Sequence, residues 1–139
     1  MYSGSGKGNG VTLKMELDPG RDLPIWRQIE AGIRRAVAAG RLSPGDAVPS
    51  VREAAVGWRV NPATVSRAYR RLVEEGLLVV RRGDGTFVSE NIGDRIEQLR
   101  QQELLEAAAA YIATASELGI GENEIVAAVR GLFDRRESS

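Results

Sequence analysis

Arginine is the residue type in this sequence with the clearest capacity for recognition chemistry. Arg67, Arg70 and Arg71 fall close together, and Arg81 and Arg82 follow shortly after them. A guanidinium group donates a planar fork of hydrogen bonds, which fits phosphate oxygens and the O6 and N7 edge of guanine. The spacing of these arginines therefore favours binding to nucleic acid. The alternative is that they are solvated charges on an ordinary helix surface.

Catalytic and metal-binding chemistry has little support in the composition. The chain contains no cysteine and no histidine, which excludes thiol chemistry, a histidine base and the usual zinc sites. The pair Gly6-Lys7 resembles a phosphate loop, but Met1 and Gly8 stand where that loop needs a glycine and a serine or threonine. We therefore predict no catalytic residues, no metal and no cofactor.

The distribution of charge suggests two roles in one chain. The formal net charge is zero, but residues 21–90 carry 12 arginines against 8 acidic residues, whereas residues 91–139 carry 5 against 9. A basic segment followed by an acidic one is typical of a nucleic-acid-binding part joined to a part that stays away from it. No apolar run of membrane-spanning length and no signal-peptide pattern occur, so we expect a cytoplasmic protein without a membrane partner.

Two helix starts lie within a dozen residues of each other. Ser50 and Glu53 have the spacing of a capping box, and Asn61-Pro62 is a second start signal. The first helix, residues 51–58, is too short to be stable alone. The second helix, residues 62–75, ends at Gly76 and has free N–H groups at its start that we expect to attract phosphate.

A β-hairpin is predicted after these helices. Two β-prone runs, residues 77–81 and 86–89, flank Gly83-Asp84-Gly85. Helix, tight turn, second helix and hairpin together predict a winged helix-turn-helix, whose second helix enters the major groove of DNA. The wing then reaches the adjacent minor groove or the DNA backbone. The competing interpretation is a winged helix that docks another protein.

The rest of the chain completes a mainly α fold with a small β-wing. A helix from Pro24 to near Gly40 precedes the pair above, and residues 11–18 form either a short strand or an extended arm. The predicted domains are a disordered tail (1–12), a winged helix-turn-helix (13–90) and a two-helix module for dimerisation and effector response (91–139).

The two C-terminal helices are predicted at residues 93–117 and about 122–135. The longer one spans about 37 Å, close to the ~34 Å between DNA half-sites one turn apart. Their apolar stripes need a cover, which we expect to be a second subunit, the alternative being the winged helix of the same chain. The residues expected at the subunit interface are Ile96, Leu99, Leu105, Ile112, Ile125, Val129, Leu132 and Phe133.

Residues 23–88 carry a specific resemblance. The runs "LPIWRQIEAGIRRAVAAGRLSPGDAVPSVREAA" and "VNPATVSRAYRRLVEEGLLVVRRGDGTFV" closely resemble the DNA-binding domain of GntR-family bacterial transcription regulators, and "NPATVSRAY" with the short tail looks most like the YtrA-type subfamily. The resemblance implies a homodimer on an inverted repeat of double-stranded DNA, mostly repression, and release by a small molecule. One branch of the family carries an aminotransferase-like domain, for which about 49 residues after the wing are too few.

Site residues follow from the resemblance by position. It implies DNA contacts for Arg52, for Asn61, Thr64, Ser66 and Arg67 at the start of the recognition helix, and for Arg82 and Gly83 at the wing tip; the exposed helix face adds Ala63 and Arg70. The sequence departs from the family where Trp58-Arg59 replaces the usual Leu-Gly. A left-handed Arg59 would cost roughly 1 kcal/mol, and we expect Trp58 to fill the place of the leucine.

Overall fold

The computed structural model describes residues 13–138, and the predicted disordered tail of residues 1–12 lies outside them. The described residues are mainly helical with one two-stranded sheet, which confirms the predicted fold class. In chain order, the elements are α1 (Ile25–Ala38), α2 (Val51–Trp58), α3 (Pro62–Glu74), β1 (Leu78–Arg81), β2 (Gly85–Val88), α4 (Gly93–Glu117) and α5 (Glu122–Ser138).

The core of the winged helix forms where α1 and α2 pack against α3. Helix α1 contributes the periodic stripe of Ile29, Ile33 and Val37, all of which are buried. Helix α3 contributes Val65 and Leu72 from the face that it turns towards the core, and both have 0% exposure. Because the apolar residues of each helix recur at helical spacing, one face of α3 is buried and the other is left exposed.

Local signals set the helix boundaries. The capping box is present, since Glu53 N donates to Ser50 Oγ and Ser50 N donates to the Glu53 carboxylate, each at 3.0 Å. Gly40 and Gly76 have φ values of +81° and +87° and follow the ends of α1 and α3, as expected for glycine caps. At the end of α2 the left-handed residue is Arg59, which directly follows the helix and has φ +59° and ψ +50°. Arg59 therefore adopts the left-handed conformation whose cost was considered above.

The wing is an antiparallel hairpin in which Leu78 pairs with Val88 and Arg81 pairs with Gly85. The segment before α2 extends this pairing, because Val48 N donates to Thr86 O at 2.9 Å. The hairpin turns at residues 82–84, where Gly83 has φ +86°. A glycine is favoured there because side-chain-bearing residues rarely adopt that backbone conformation.

The segment before α1 is an extended arm rather than a strand. Leu13, Met15 and Leu17 are half-buried against the core, and the residues between them are exposed. Trp58 Nε1 donates to Leu13 O at 2.9 Å, and Trp58 packs against the core as expected. The expected alternation of half-buried and exposed residues is therefore present, but within the described residues no other strand pairs with this segment.

The start of α4 belongs to the winged helix. The chain divides into two compact units after Arg100. Ile92 and Leu99 are buried in the core of the first unit, and Ile96 packs against that core. Two residues expected at a subunit interface, Ile96 and Leu99, are thus placed in an intrachain core. The first unit also extends about ten residues beyond the predicted boundary at residue 90.

The second unit contains the rest of α4 and all of α5, joined by a turn at Gly119 with φ +76°. Within it, Tyr111 Oη donates to Ile125 O at 3.3 Å, and Ala115 is buried. No helix between residues 13 and 138 has the length and apolar character needed to cross a membrane. Several large apolar side chains of this unit are exposed, namely Leu104, Leu105, Ile112, Leu118, Val126, Val129, Leu132 and Phe133.

Candidate nucleic-acid interface

The recognition helix α3 begins with its backbone donors already satisfied. Asn61 Oδ1 accepts from Ala63 N at 2.7 Å, and Asn61 O accepts from Thr64 N at 2.9 Å. Val65 N donates to the same carbonyl at 3.2 Å. Of the free N–H groups expected at this helix start, those of Ala63 and Thr64 are therefore already bonded by the cap residue, and Pro62 has none.

None of the sequence-predicted contacts on α3 is fully buried. Ala63, Arg67 and Arg70 are exposed, as is Asn61 at the cap, whereas Thr64 and Ser66 are half-buried. The opposite face is held by Tyr69, whose buried hydroxyl donates to Pro49 O at 2.7 Å. Burial raises the pKa of Tyr69, and the nearby Glu53 carboxylate raises it further, so the phenol stays protonated. This bond ties α3 to the chain just before α2.

The three arginines of α3 have different surroundings. Arg71 Nε donates to Glu30 Oε2 at 2.7 Å, so this guanidinium is already paired with a nearly buried carboxylate of the same chain. Arg67 lies over an aromatic ring, with its Cζ 4.2 Å from the centroid of Trp26. Arg70 is exposed and has no ion pair or ring contact within residues 13–138. Of the three, Arg70 is therefore the side chain most available for a phosphate.

A charged network behind α3 was not predicted from the sequence. The Glu30 side chain is only 5% exposed and also lies 3.7 Å from Arg34. Arg34 pairs with Glu75 at 2.6 Å, and Arg95 lies 3.7 Å from the same carboxylate. The hydrogen bond from Arg34 lowers the pKa of Glu75 against the opposing effect of burial, and the nearby positive charges lower it further. The network links α1, the end of α3 and the first turn of α4.

The sequence carries a weak signal of this arrangement. Trp26, Glu30 and Arg34 recur at a spacing of four residues on α1, next to the buried stripe of that helix. Such a row indicates that the three side chains share one face. It does not reveal which part of the chain they contact, so Trp26 and Glu30 were missed as partners of the recognition helix.

Two further arginines lie near the start of α3 along the chain. Arg52, in the first turn of α2, is exposed, and Arg59 is exposed in the turn that leads into α3. Within residues 13–138, neither guanidinium has an ion pair or a hydrogen bond. Arg59 occupies the position that glycine usually takes in the family that this sequence resembles. It therefore places an additional positive charge just before the recognition helix.

The two arginines of the wing also differ. Arg81 is the last residue of β1, next to the turn, and its Nη2 lies 3.3 Å from Glu90 Oε2 while its Cζ lies 4.4 Å from the Phe87 ring centroid. Arg82 is exposed, and the described part of the chain offers it no partner. A Cβ built on the adjacent Gly83 would meet no atom within 4 Å, so the wing tip is open.

Comparison with known proteins agrees with this geometry. Residues 25–88 match the model of the bacterial regulatory proteins of the gntR family. The HTH-type transcriptional regulator YhcF of Bacillus subtilis is 33% identical over 107 residues, which cover 77% of this chain and 88% of that protein. The repressor YtrA of the same species is 43% identical over 77 residues, 55% of this chain and 59% of YtrA.

A solved structure extends the similarity beyond the winged helix. A GntR family transcriptional regulator from Listeria monocytogenes matches with a TM-score of 0.70 and 35% identity, covering 83% of this chain and 98% of the other. These relatives are regulators rather than enzymes. The chain therefore belongs to the gntR family of bacterial regulatory proteins, as a YtrA-like member, and is a DNA-binding transcription regulator.

Proposed function

We propose that the protein is a repressor that binds an inverted-repeat operator as a homodimer. Helix α3 enters the major groove, and the wing contacts the adjacent minor groove or the DNA backbone. The observation that carries this proposal is that α2, the turn after it, α3 and the wing each present an exposed arginine, while the second unit exposes a large apolar surface. The first feature fits a polyanion, and the second fits another copy of the chain.

The exposed side chains divide into base readers and phosphate contacts. Arg67 lies in the second turn of α3, where a guanidinium can pair with guanine O6 and N7. Arg70 lies further along the helix, and Arg52 and Arg82 lie on neighbouring elements. These three are proposed to neutralise phosphates, which adds affinity without reading sequence. Asn61 at the cap of α3, and Ala63, Thr64 and Ser66 in its first two turns, are proposed as further contacts to DNA, and Gly83 keeps the wing tip narrow.

The proposed dimer interface is the apolar groove between α4 and α5 in the second unit. The groove has a volume of about 540 Å³ and is lined by Ile112, Ile125, Val129 and Phe133, among others. Ile112 and Phe133 are 49% and 58% exposed, values that are unusual for such side chains unless another surface covers them. Leu105 and Leu132, exposed to 66% and 55%, are further apolar side chains of the same unit. A second copy of the chain can cover this surface in a two-fold symmetric dimer, in which both subunits use the same patch.

Repression is the proposed sign of regulation. YtrA, which shares 43% identity with this chain over 77 residues, is named as a repressor. A dimer bound at two half-sites blocks access to the DNA beneath it without further parts. Linking two DNA-binding units typically adds 10²–10⁴ in affinity over one, which makes such a block effective at low protein concentration.

The oligomeric state tests this proposal directly. Light scattering of the full-length chain at tens of micromolar should give the mass of a dimer. The double variant Ile112→Asp/Phe133→Asp should be a folded monomer that binds an inverted repeat with an affinity about 10²–10⁴ lower. Leu118→Asp, a substitution at an exposed leucine outside this groove, is the matched control and should remain dimeric.

Point variants are preferred to truncation for a structural reason. Removing residues 91–139 would also remove Ile92 and Leu99 from the core of the winged helix. A wild-type monomer that still binds an inverted repeat tightly would contradict the proposed dimer. So would a double variant that keeps the dimer mass.

A further inference from the structure

Three guanidinium groups surround one indole ring. The Cζ atoms of Arg67, Arg71 and Arg27 lie 4.2, 5.0 and 5.3 Å from the ring centroid of Trp26. All three distances are within the roughly 6 Å at which a cation is attracted to an aromatic face, and tryptophan gives the strongest such attraction. Trp26 is the second residue of α1 and packs against the core, so the ring is held by the body of the domain.

The three arginines depend on the ring to different degrees. Arg71 is also tied to Glu30 at 2.7 Å, so its position does not rest on Trp26 alone. The Arg67 side chain has no ion pair or hydrogen bond within residues 13–138. Its guanidinium lies over the indole ring of Trp26. Arg67 is also the nearest of the three. Loss of the ring therefore frees Arg67 and leaves Arg71 anchored.

We propose that Trp26 is a positioning residue that orients Arg67 for reading a base. The inference rests on the proposed function, in which Arg67 contacts guanine. A free arginine side chain loses rotamer entropy when it is ordered. The indole limits this freedom before DNA arrives, because the guanidinium packs against the ring while its N–H edge stays free to donate. Preorganisation of this kind raises affinity by lowering the cost of ordering.

The opposite effect would follow if the ring held Arg67 away from DNA. In that case Trp26 would compete with the operator, and its removal would tighten binding. The sign of the change in affinity therefore decides between orientation and sequestration. A purely structural role for Trp26 would weaken binding whether or not Arg67 is present.

A double-mutant cycle on the full chain separates these roles. The variants are Trp26→Leu, Arg67→Ala and both together, and the probe is a labelled duplex that the wild-type protein selects from random DNA. Trp26→Leu should weaken binding to this duplex by about two- to tenfold, with little change on unselected DNA. In the Arg67→Ala background it should have no further effect. Trp26→Phe keeps a ring and should recover most of the lost affinity.

The matched control is Trp58→Phe, which alters the other tryptophan of the chain and removes its hydrogen bond to Leu13. This variant should leave discrimination between the two duplexes unchanged. The contact itself is measured without DNA: the Arg67 side-chain methylene protons should show an upfield ring-current shift in NMR spectra, which Trp26→Leu abolishes.

Several results would overturn the inference. Equal losses from Trp26→Leu with and without Arg67, tighter binding by Trp26→Leu, or the absence of the ring-current shift would each do so. A different result identifies failure of the proposed function. If Arg67→Ala alone leaves affinity and discrimination intact, Arg67 does not read a base, and the positioning role falls with it.

Discussion

Arg71 donates its Nε hydrogen to Glu30 Oε2 across 2.7 Å, although Arg70, its neighbour in the chain, has no partner within the described residues. Two adjacent arginines on one helix therefore differ in whether they are bonded within the protein. One guanidinium satisfies a nearly buried carboxylate, and the other is open to solvent. The pair gives a test of which charge serves the fold and which serves DNA.

Arg70→Ala should weaken binding to all DNA sequences to a similar degree and reduce the salt dependence by about one unit of slope, with little effect on melting temperature. Arg71→Ala should instead lower the free energy of unfolding by about 1–3 kcal/mol, because the Glu30 carboxylate loses its shortest charged hydrogen bond. Titrations at several salt concentrations and thermal melts measure both effects. Loss of stability in the Arg70 variant, with none in the Arg71 variant, would reverse the assignment.

Arg82→Ala should weaken DNA binding and leave thermal stability unchanged, since the side chain is exposed at the open tip of the wing. Arg81→Ala is the control on the same hairpin, because Arg81 is already engaged by Glu90 and Phe87. We expect the loss of affinity to be larger for Arg82 than for Arg81 in binding assays at low salt. If Arg82→Ala bound DNA with the affinity of the wild type, the wing tip would not be a DNA contact.

Arg59→Gly should stabilise the protein by up to about 1 kcal/mol, because the left-handed conformation at this position is strained for a residue with a Cβ. Arg59→Ala keeps the strain and removes the charge, so it should not gain this stability. Both variants should bind DNA more weakly if the Arg59 charge contributes. Urea unfolding gives the first comparison and DNA titration gives the second. Equal stability of the glycine and alanine variants would contradict the strain argument.

The lowered pKa of Glu75 predicts a stability that depends on acid pH. The stabilisation is complete above the ordinary glutamate pKa and is lost as pH falls through the lower value of the folded state. Wild type should therefore lose more stability than Glu75→Gln between about pH 7 and about pH 3. The effect is modest because the Arg34–Glu75 pair is partly solvated.

The control for this prediction is Glu74→Gln, since Glu74 is exposed and adjacent in the chain. Urea unfolding at the two pH values should give the same acid sensitivity for Glu74→Gln as for wild type. If Glu75→Gln retained the full acid sensitivity as well, the Arg34–Glu75 pair would not be its source.

The sequence by itself determined the elements and the fold class. Ser50 with Glu53, Asn61 with Pro62, and Gly40 and Gly76 mark helix ends through bonds between near neighbours in the chain, so their meaning does not depend on the rest of the fold. The same is true of the hairpin at Gly83. The resemblance of residues 23–88 to the GntR family then indicated how these elements are arranged, and the match of residues 25–88 bears it out.

Only the tertiary structure decided which charged and apolar groups are already bonded or buried within the protein and which remain exposed. Arg71 meets Glu30, and Arg67 meets Trp26, across 41 positions of the chain in both cases. Likewise, apolar periodicity predicts that Ile96 and Leu99 are covered, but the cover proved to be the core of the winged helix. A pattern along one helix reports which face is buried. What buries that face depends on contacts between distant segments, which form only when α1, α3 and the start of α4 come together.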